Sequence, residues 1–340
     1  MTTKQIPIWI DCDTGTDDSV AIMLAHALPE LSVAALSAVA GNSPLYNTFP
    51  NTRRIVHLLG ADYPVYPGAE RPLVREPHVA GKFHGENGLG DVELPLPDCA
   101  PETTPAWDAL YEAAKRMPGE LRLVATGPLT NVAIALTKYP ELKTLLHSIA
   151  LMGGAAVGGN VTPAAEFNIY DDPDAAQIVF KSGVPLVMCG LDVTMQAELR
   201  PADWDEMAGY GNRCGGLVKK LFACAWKTIQ TRDVSGAPGA VRRPDGWRVR
   251  RDAGRSHARQ DRHRPAERQK IRRAERPRAP APRPREIHAD PERLHPDAAL
   301  RKEIPRPLRL QRAGFVFLAY ITSRFSGMTM AATIYRRMPV

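Results

Sequence analysis

The chain has 340 residues, 24% of them charged, and a formal net charge of +7, which is length enough to bury the core of one large α/β domain or two ordinary ones. The charge is uneven: residues 1–240 hold 18 Lys+Arg against 27 Asp+Glu, net −9, and residues 241–340 hold 26 against 10, net +16. An evenly basic, anion-binding body is thereby excluded, because the basic character belongs to the last third alone. The five cysteines, Cys12, Cys99, Cys189, Cys214 and Cys224, form no CxxC pair, so neither a zinc site nor a disulfide framework is expected. The N-terminus enters an apolar strand without the regions of a signal peptide, and a cytoplasmic location is expected.

Residues 6–10 read as a buried strand, and Val20, Met23, Leu24, Ala27 and Leu28 recur at helical spacing after it. Further strands are expected at 31–39, 64–66, 121–125, 148–152 and 184–188. Helices are expected at 47–59, 107–117, 132–136, from about 170, and at 217–230. Strands that are mostly apolar and alternate with helices predict an α/β fold: a single domain with a central, mainly parallel sheet flanked by helices. The glycine-rich segment 78–91, which carries His84, Glu86 and Asn87, lacks phosphate-loop spacing and reads as a flexible wall or lid of a pocket, or as a plain surface loop.

Between the first strand and first helix stand Asp11, Asp13, Asp17 and Asp18. That turn lies at the carboxyl end of a strand, where open α/β sheets bind ligands. Asp17 and Asp18 fall in the first helical turn, where acidic side chains commonly cap. Capping does not account for Asp11 and Asp13, since carboxylates ending an apolar strand are costly unless paired. Crowded carboxylates suit a hard divalent cation such as calcium or magnesium. The alternative of an aspartyl-phosphate phosphatase is weak: Gly15 stands at its fifth position, and the Asp17-Asp18 pair has no place in that pattern. Asn42, after the second strand, reads by itself as an Asx-turn.

In order along the chain come DCDTGTDD (11–18), GN (41–42), HGENGLG (84–90), ATGPLTN (125–131), MGG (152–154) and EFNIYDDPDAA (166–176). Together they resemble the inosine-uridine preferring nucleoside hydrolase family, calcium-dependent enzymes that cleave the N-ribosidic bond of nucleosides. The resemblance spans about residues 5–238 and implies a nucleoside substrate, bound Ca2+ and a homo-oligomer, commonly a dimer or tetramer. It implies Asp13, Asp18 and the Thr126 carbonyl as calcium ligands, with Asp13 also the base that takes a proton from the attacking water. Asp17 is implied as partner of a ribose hydroxyl, and Asp11 as support for the cluster. Asn42 would lie near ribose and water, Asn160, Glu166 and Asn168 would hold sugar hydroxyls, and His84 would line the base pocket.

The family's last calcium-ligand aspartate, often preceded by a histidine, is expected near Ser235-Gly236-Ala237-Pro238, where this chain has no His-Asp pair. The domain is therefore expected to run from 1 to 238 with its C-terminal part missing or replaced. Residues 239–340 form an Arg/Pro-rich tail too poor in Ile, Leu, Phe and Val to bury a core. Disorder is the expectation for it, with phosphate-driven nucleic-acid binding a weaker one. The apolar stretch 314–335 is interrupted by Arg324 and is not read as a membrane span. Loss of the last carboxylate leaves an alternative function, a catalytically impaired nucleoside- or ribose-binding protein. Dominance of Arg, Pro, Ala and Gly is what GC-rich DNA gives out of frame, so the hypothesis is a frame break near Ala237. Translating the gene in the other two frames past that codon should recover an apolar helix with a His-Asp pair; two frames without one would sink the idea.

Overall fold

Runs of Ile, Val, Leu and Ala that are buried on both faces cannot alternate in polarity, and they pair here as the strands of a parallel sheet covered on both sides. A computed structural model describes residues 4–78, 84–156, 158–194 and 201–232, and the tail expectations, including the region around Ser235 and the apolar stretch 314–335, lie outside the described residues. The elements in chain order are β1 (Ile6–Cys12), α1 (Thr16–Ala27), β2 (Leu31–Ala38), α2 (Leu45–Leu58), β3 (Val65–Pro67), α3 (Ala106–Arg116), β4 (Arg122–Ala125) and α4 (Thr130–Lys138). Then follow α5 (Leu142–Leu145), β5 (Ser148–Met152), α6 (Phe167–Asp171), α7 (Pro173–Lys181), β6 (Leu186–Cys189), α8 (Leu191–Thr194), α9 (Pro201–Gly209) and α10 (Arg213–Arg232).

The strand order is β3-β2-β1-β4-β5-β6, and every pairing is parallel. The sheet grows from β1 towards β3 on one side and from β4 towards β6 on the other, so the order reverses between β1 and β4. A crevice opens at such a reversal, because the connections on its two sides leave in opposite directions. Asp11 pairs in register with Ala125 and with Ser37, which brings the ends of three central strands together below that crevice.

Two apolar layers hold the sheet. Ile8, Ile10 and Cys12 pack with Val20 and Leu24 of α1, Ile55 of α2 and Val218 and Leu221 of α10. Trp9 faces the opposite layer with Leu110, Val132 and Val179, stacked on Tyr66 at 5.5 Å. Alternation along β1 thus places Asp11 on the side of Trp9.

The expected elements are present, with shifted ends. α2 begins at Leu45, two residues early, with Pro44 as its N-cap and Pro50 inside it. Proline forfeits one helical hydrogen bond, yet the helix runs through it because Thr52, Ile55 and Val56 are buried. The glycine-rich segment read as a flexible wall or lid, or as a plain surface loop, is described from His84 onward, and there it is a closed turn. Gly90 N–H donates to the His84 carbonyl at 2.6 Å, and the Asn87 carboxamide accepts from Leu89 and Asp91 while donating to Val92. Short amide side chains bond their own backbone in this way and stiffen loops. Among the described residues no helix is long and apolar enough to cross a membrane.

Leu123 is fully buried in β4 between two strands. Leu123→Ala should destabilise the fold by about 2–5 kcal/mol, read as a lower urea midpoint with an unchanged slope.

Candidate functional site

β1 ends at Cys12, and the turn to α1 lifts Asp13 over the ends of β2 and β4. Asp13 is 1% exposed. Its Oδ2 accepts from the Asn42 backbone N–H at 2.7 Å, while Oδ1 is buried without a hydrogen-bond partner. The carboxylate is clasped between two glycine turns: a Cβ on Gly41 would stand 2.4 Å from Oδ2, and one on Gly127 2.8 Å from Oδ1. Burial first, then the negative charges of Asp18 and Asp17, hold the Asp13 carboxyl well above its ordinary pKa.

Asp18 lies in the first turn of α1 and both caps and faces the cluster. Its Oδ2 accepts from the Gly15 N–H at 3.0 Å and from the Asn42 side chain at 3.3 Å, and its Oδ1 accepts from the Thr126 hydroxyl at 2.6 Å. Burial, followed by the charge of Asp17, pushes Asp18 up to about 6. The Asx-turn that Asn42 suggests when read by itself gives way to bonds into the acidic cluster: besides Asp18, its side chain donates to the Asp13 backbone carbonyl at 3.4 Å. Asp17 is 31% exposed, with Oδ1 3.9 Å from His84 Nδ1.

Below them Asp11 is buried, with Oδ1 accepting from the Ser37 hydroxyl and the Asn131 amide and Oδ2 unpartnered. Burial pushes it up to about 6. His84 arrives from the closed turn and lies against the start of α1, 3.3 Å from Thr16 N and 3.2 Å from its hydroxyl; burial lowers its pKa to about 4.

On the β4–β5 side, Asn168 donates to the Thr126 carbonyl at 2.9 Å and to the Met152 carbonyl at 3.1 Å. Glu166 is the N-cap of α6 and accepts from Ile169 and Gly154 N–H; burial raises its pKa against those donors. The structure thus brings Asp11, Asp13, Asp17, Asp18, Asn42, His84, Thr126, Glu166 and Asn168 to one end of the sheet. Asn160 stands apart: it is exposed, and its backbone N–H closes a loop onto the Ala165 carbonyl.

Sequence reasoning gave no role to Thr130, Asn131 or Asp172, which are buried and bonded beneath the cluster. A polar pair opening a helix after a strand was the available signal. Among the described residues no group of three or more His, Cys, Asp or Glu side chains is set as a metal cluster. The donors present still suit a hard cation: they are all oxygen, and buried carboxylate oxygens of Asp11, Asp13 and Asp17 are left unpartnered.

Comparison with known proteins agrees with this geometry. Pyrimidine-specific ribonucleoside hydrolases RihA of Salmonella arizonae and Citrobacter koseri are each 46% identical over 236 residues, 68% of this chain and 76% of theirs. Among solved structures, the purine-preferring ribonucleoside hydrolase from Gardnerella vaginalis superposes with a TM-score of 0.64 at 35% identity, over 66% of this chain and 73% of that one. The plant nucleoside hydrolase PpNRh1 gives 0.65 at 34%, over 67% and 73%. The profile of the inosine-uridine preferring nucleoside hydrolases matches residues 8–242, and the chain belongs to that family of ribonucleoside-hydrolysing enzymes.

Proposed function

We propose that this chain hydrolyses ribonucleosides to ribose and free base with calcium bound by Asp13, Asp18 and the Thr126 carbonyl. The observation that carries this reading is the buried, unpartnered Asp13 Oδ1 beside a second buried carboxylate. Such a pair is stable in its ionised form only with a cation or a proton between its members. Bound calcium would hold a water and the sugar diol and lower the pKa of that water.

Each protein group then has a task. Asp13 takes the proton of the attacking water, and its position is set by the Asn42 N–H and the two glycine turns. Departure of the base builds positive charge on the ribose ring, and Asp17 and Glu166 supply negative charge that favours this state over the ground state. Asn42 and Asn168 orient sugar hydroxyls, and His84 borders the base. The curated relatives are pyrimidine-specific and a structural neighbour is purine-preferring, so both base classes belong in the assay.

A second reading is favoured by one observation: the match covers about three quarters of the relatives. On this reading the chain binds ribose or nucleoside without competent calcium. Ribose release from uridine and inosine, with calcium and after chelation, separates the two. Turnover lost on chelation supports the enzyme; sugar binding without turnover supports the binding protein. Asp13→Asn should lower kcat by a factor on the order of 10²–10⁴, with thermal stability retained.

Stability should also report the cluster. Asp11, Asp13, Asp17, Asp18, Glu166 and Asp171 all have raised carboxyl pKa values, chiefly through burial. The folded state therefore binds their protons more tightly than the unfolded chain, and the stability they contribute is lost as pH rises through their folded pKa values, about 6 for Asp11, Asp17, Asp18 and Asp171. His84, lowered to about 4, acts oppositely and costs stability below pH 6.5. Six raised carboxyls outweigh the lowered histidines His84 and His26, so in chelator the melting temperature should rise as pH falls from 7.5 to 5.5. Added calcium should raise it most at pH 7.5; equal calcium shifts at both pH values would refute the cation assignment.

A further inference from the structure

The turn that carries Thr126 enters α4 through two consecutive polar residues, and both are bonded away from their own helix. Asn131, 2% exposed, uses its whole carboxamide. Nδ2 donates to Asp11 Oδ1 at 2.8 Å and to the Ala38 carbonyl at 3.0 Å, and Oδ1 accepts from the Ala69 N–H at 2.7 Å. One side chain thus ties the ends of β1 and β2 and the segment after β3 to the start of α4. The approach is so close that a Cβ on Gly68 would stand 2.2 Å from Asn131 Nδ2 and from the Ala38 carbonyl.

Thr130, also 2% exposed, donates its hydroxyl to Asp172 Oδ2 at 2.7 Å. The same oxygen accepts from the Leu73 N–H at 2.9 Å, while Oδ1 caps α7 through the Ala175 N–H at 2.9 Å. Asp172 immediately follows α6, the helix that carries Asn168 and is capped by Glu166. The two side chains therefore join the segments that bear Asp13, Asn42, Thr126, Glu166 and Asn168, although neither touches the carboxylates of Asp13 or Asp18.

We propose that Thr130 and Asn131 are positioning residues, which lock the ends of β1, β2 and β4 and the α6–α7 junction so that the Asp13 carboxylate and the Thr126 carbonyl keep their mutual geometry. This rests on the proposed nucleoside hydrolysis for its catalytic consequence, but not for the locking itself. A loosely held catalytic pair loses rate faster than it loses substrate affinity.

The test uses the full 340-residue chain with Asn131→Asp, which keeps the shape and the acceptor for Ala69 but removes both donors, and with Thr130→Val and Thr130→Ser. Amide hydrogen exchange is read by peptide, beside the melting temperature and ribose release. In Asn131→Asp, exchange should rise at least ten-fold in peptides covering 11–14, 38–42, 69–73 and 126–129, and stay unchanged in α10. In Thr130→Val the rise should be confined to 73–78, 126–130 and 172–175, and Thr130→Ser, which keeps the hydroxyl, should match wild type. kcat should fall more than ten-fold in Asn131→Asp and in Thr130→Val, with KM within about three-fold of wild type. Unchanged exchange at these peptides, or an even rise across the chain with a lower melting temperature, overturns the proposal. A wild-type chain that releases no ribose would overturn the proposed function alone, since exchange still decides the locking.

Discussion

Burying like charges together is the constraint on which this structure turns. Asp11, Asp13 and Asp18 are each 2% exposed or less within a few residues of chain, and water no longer screens them. Each is held by donors from elsewhere: Asn42 from after β2, Thr126 from after β4, and Asn131 from α4. The donors lie far apart in sequence and meet only because β1 has β2 on one side and β4 on the other. The topology is what makes the cluster tolerable, and the cluster gives that topology its use.

The partial satisfaction is itself informative. A structural carboxylate usually finds partners for both oxygens, as Asp172 does with three donors. Asp13 and Asp11 each keep one oxygen buried and unbonded, a cost that a protein built only for stability would shed by mutation. Strain of this kind concentrates at functional sites. Glu166 shows the milder version: it caps α6 while its pKa is raised by burial, so one residue caps a helix and brings a carboxylate to the crevice.

Much of this was legible in the sequence because the strands are nearly continuous apolar runs and the polar residues fall at their ends. Strand count, parallel pairing and the placing of the four aspartates follow from that pattern alone. Asn42 taken by itself could not be told from an Asx-turn, since an asparagine after a strand looks identical whether its side chain bonds its own backbone or a carboxylate 24 residues away; only the resemblance put it at the site. In the 84–91 turn glycine content signals freedom in the sequence, whereas the Asn87 and Asp91 side chains stiffen it. Thr130 and Asn131 were silent for a different reason: their partners are 42 and 120 residues distant, and no local period encodes that.

Calcium affinity follows the number and charge of oxygen ligands, so the distinction between turnover and binding is electrostatic. In the proposed calcium site, Asp13, Asp18 and the Thr126 carbonyl would neutralise a divalent cation, and further protein donors would complete the placement of the water it orients. A shell short of ligands tolerates little motion in those that remain, since each must keep its geometry without help from a neighbour. The scaffold under the site therefore gains importance as the shell thins. Asn131 with Gly68, and Thr130 with Asp172, supply that rigidity from below, where no ligand reaches. Rigid support from buried, fully bonded side chains is the one contribution to the site that does not depend on which cation or nucleoside fills it.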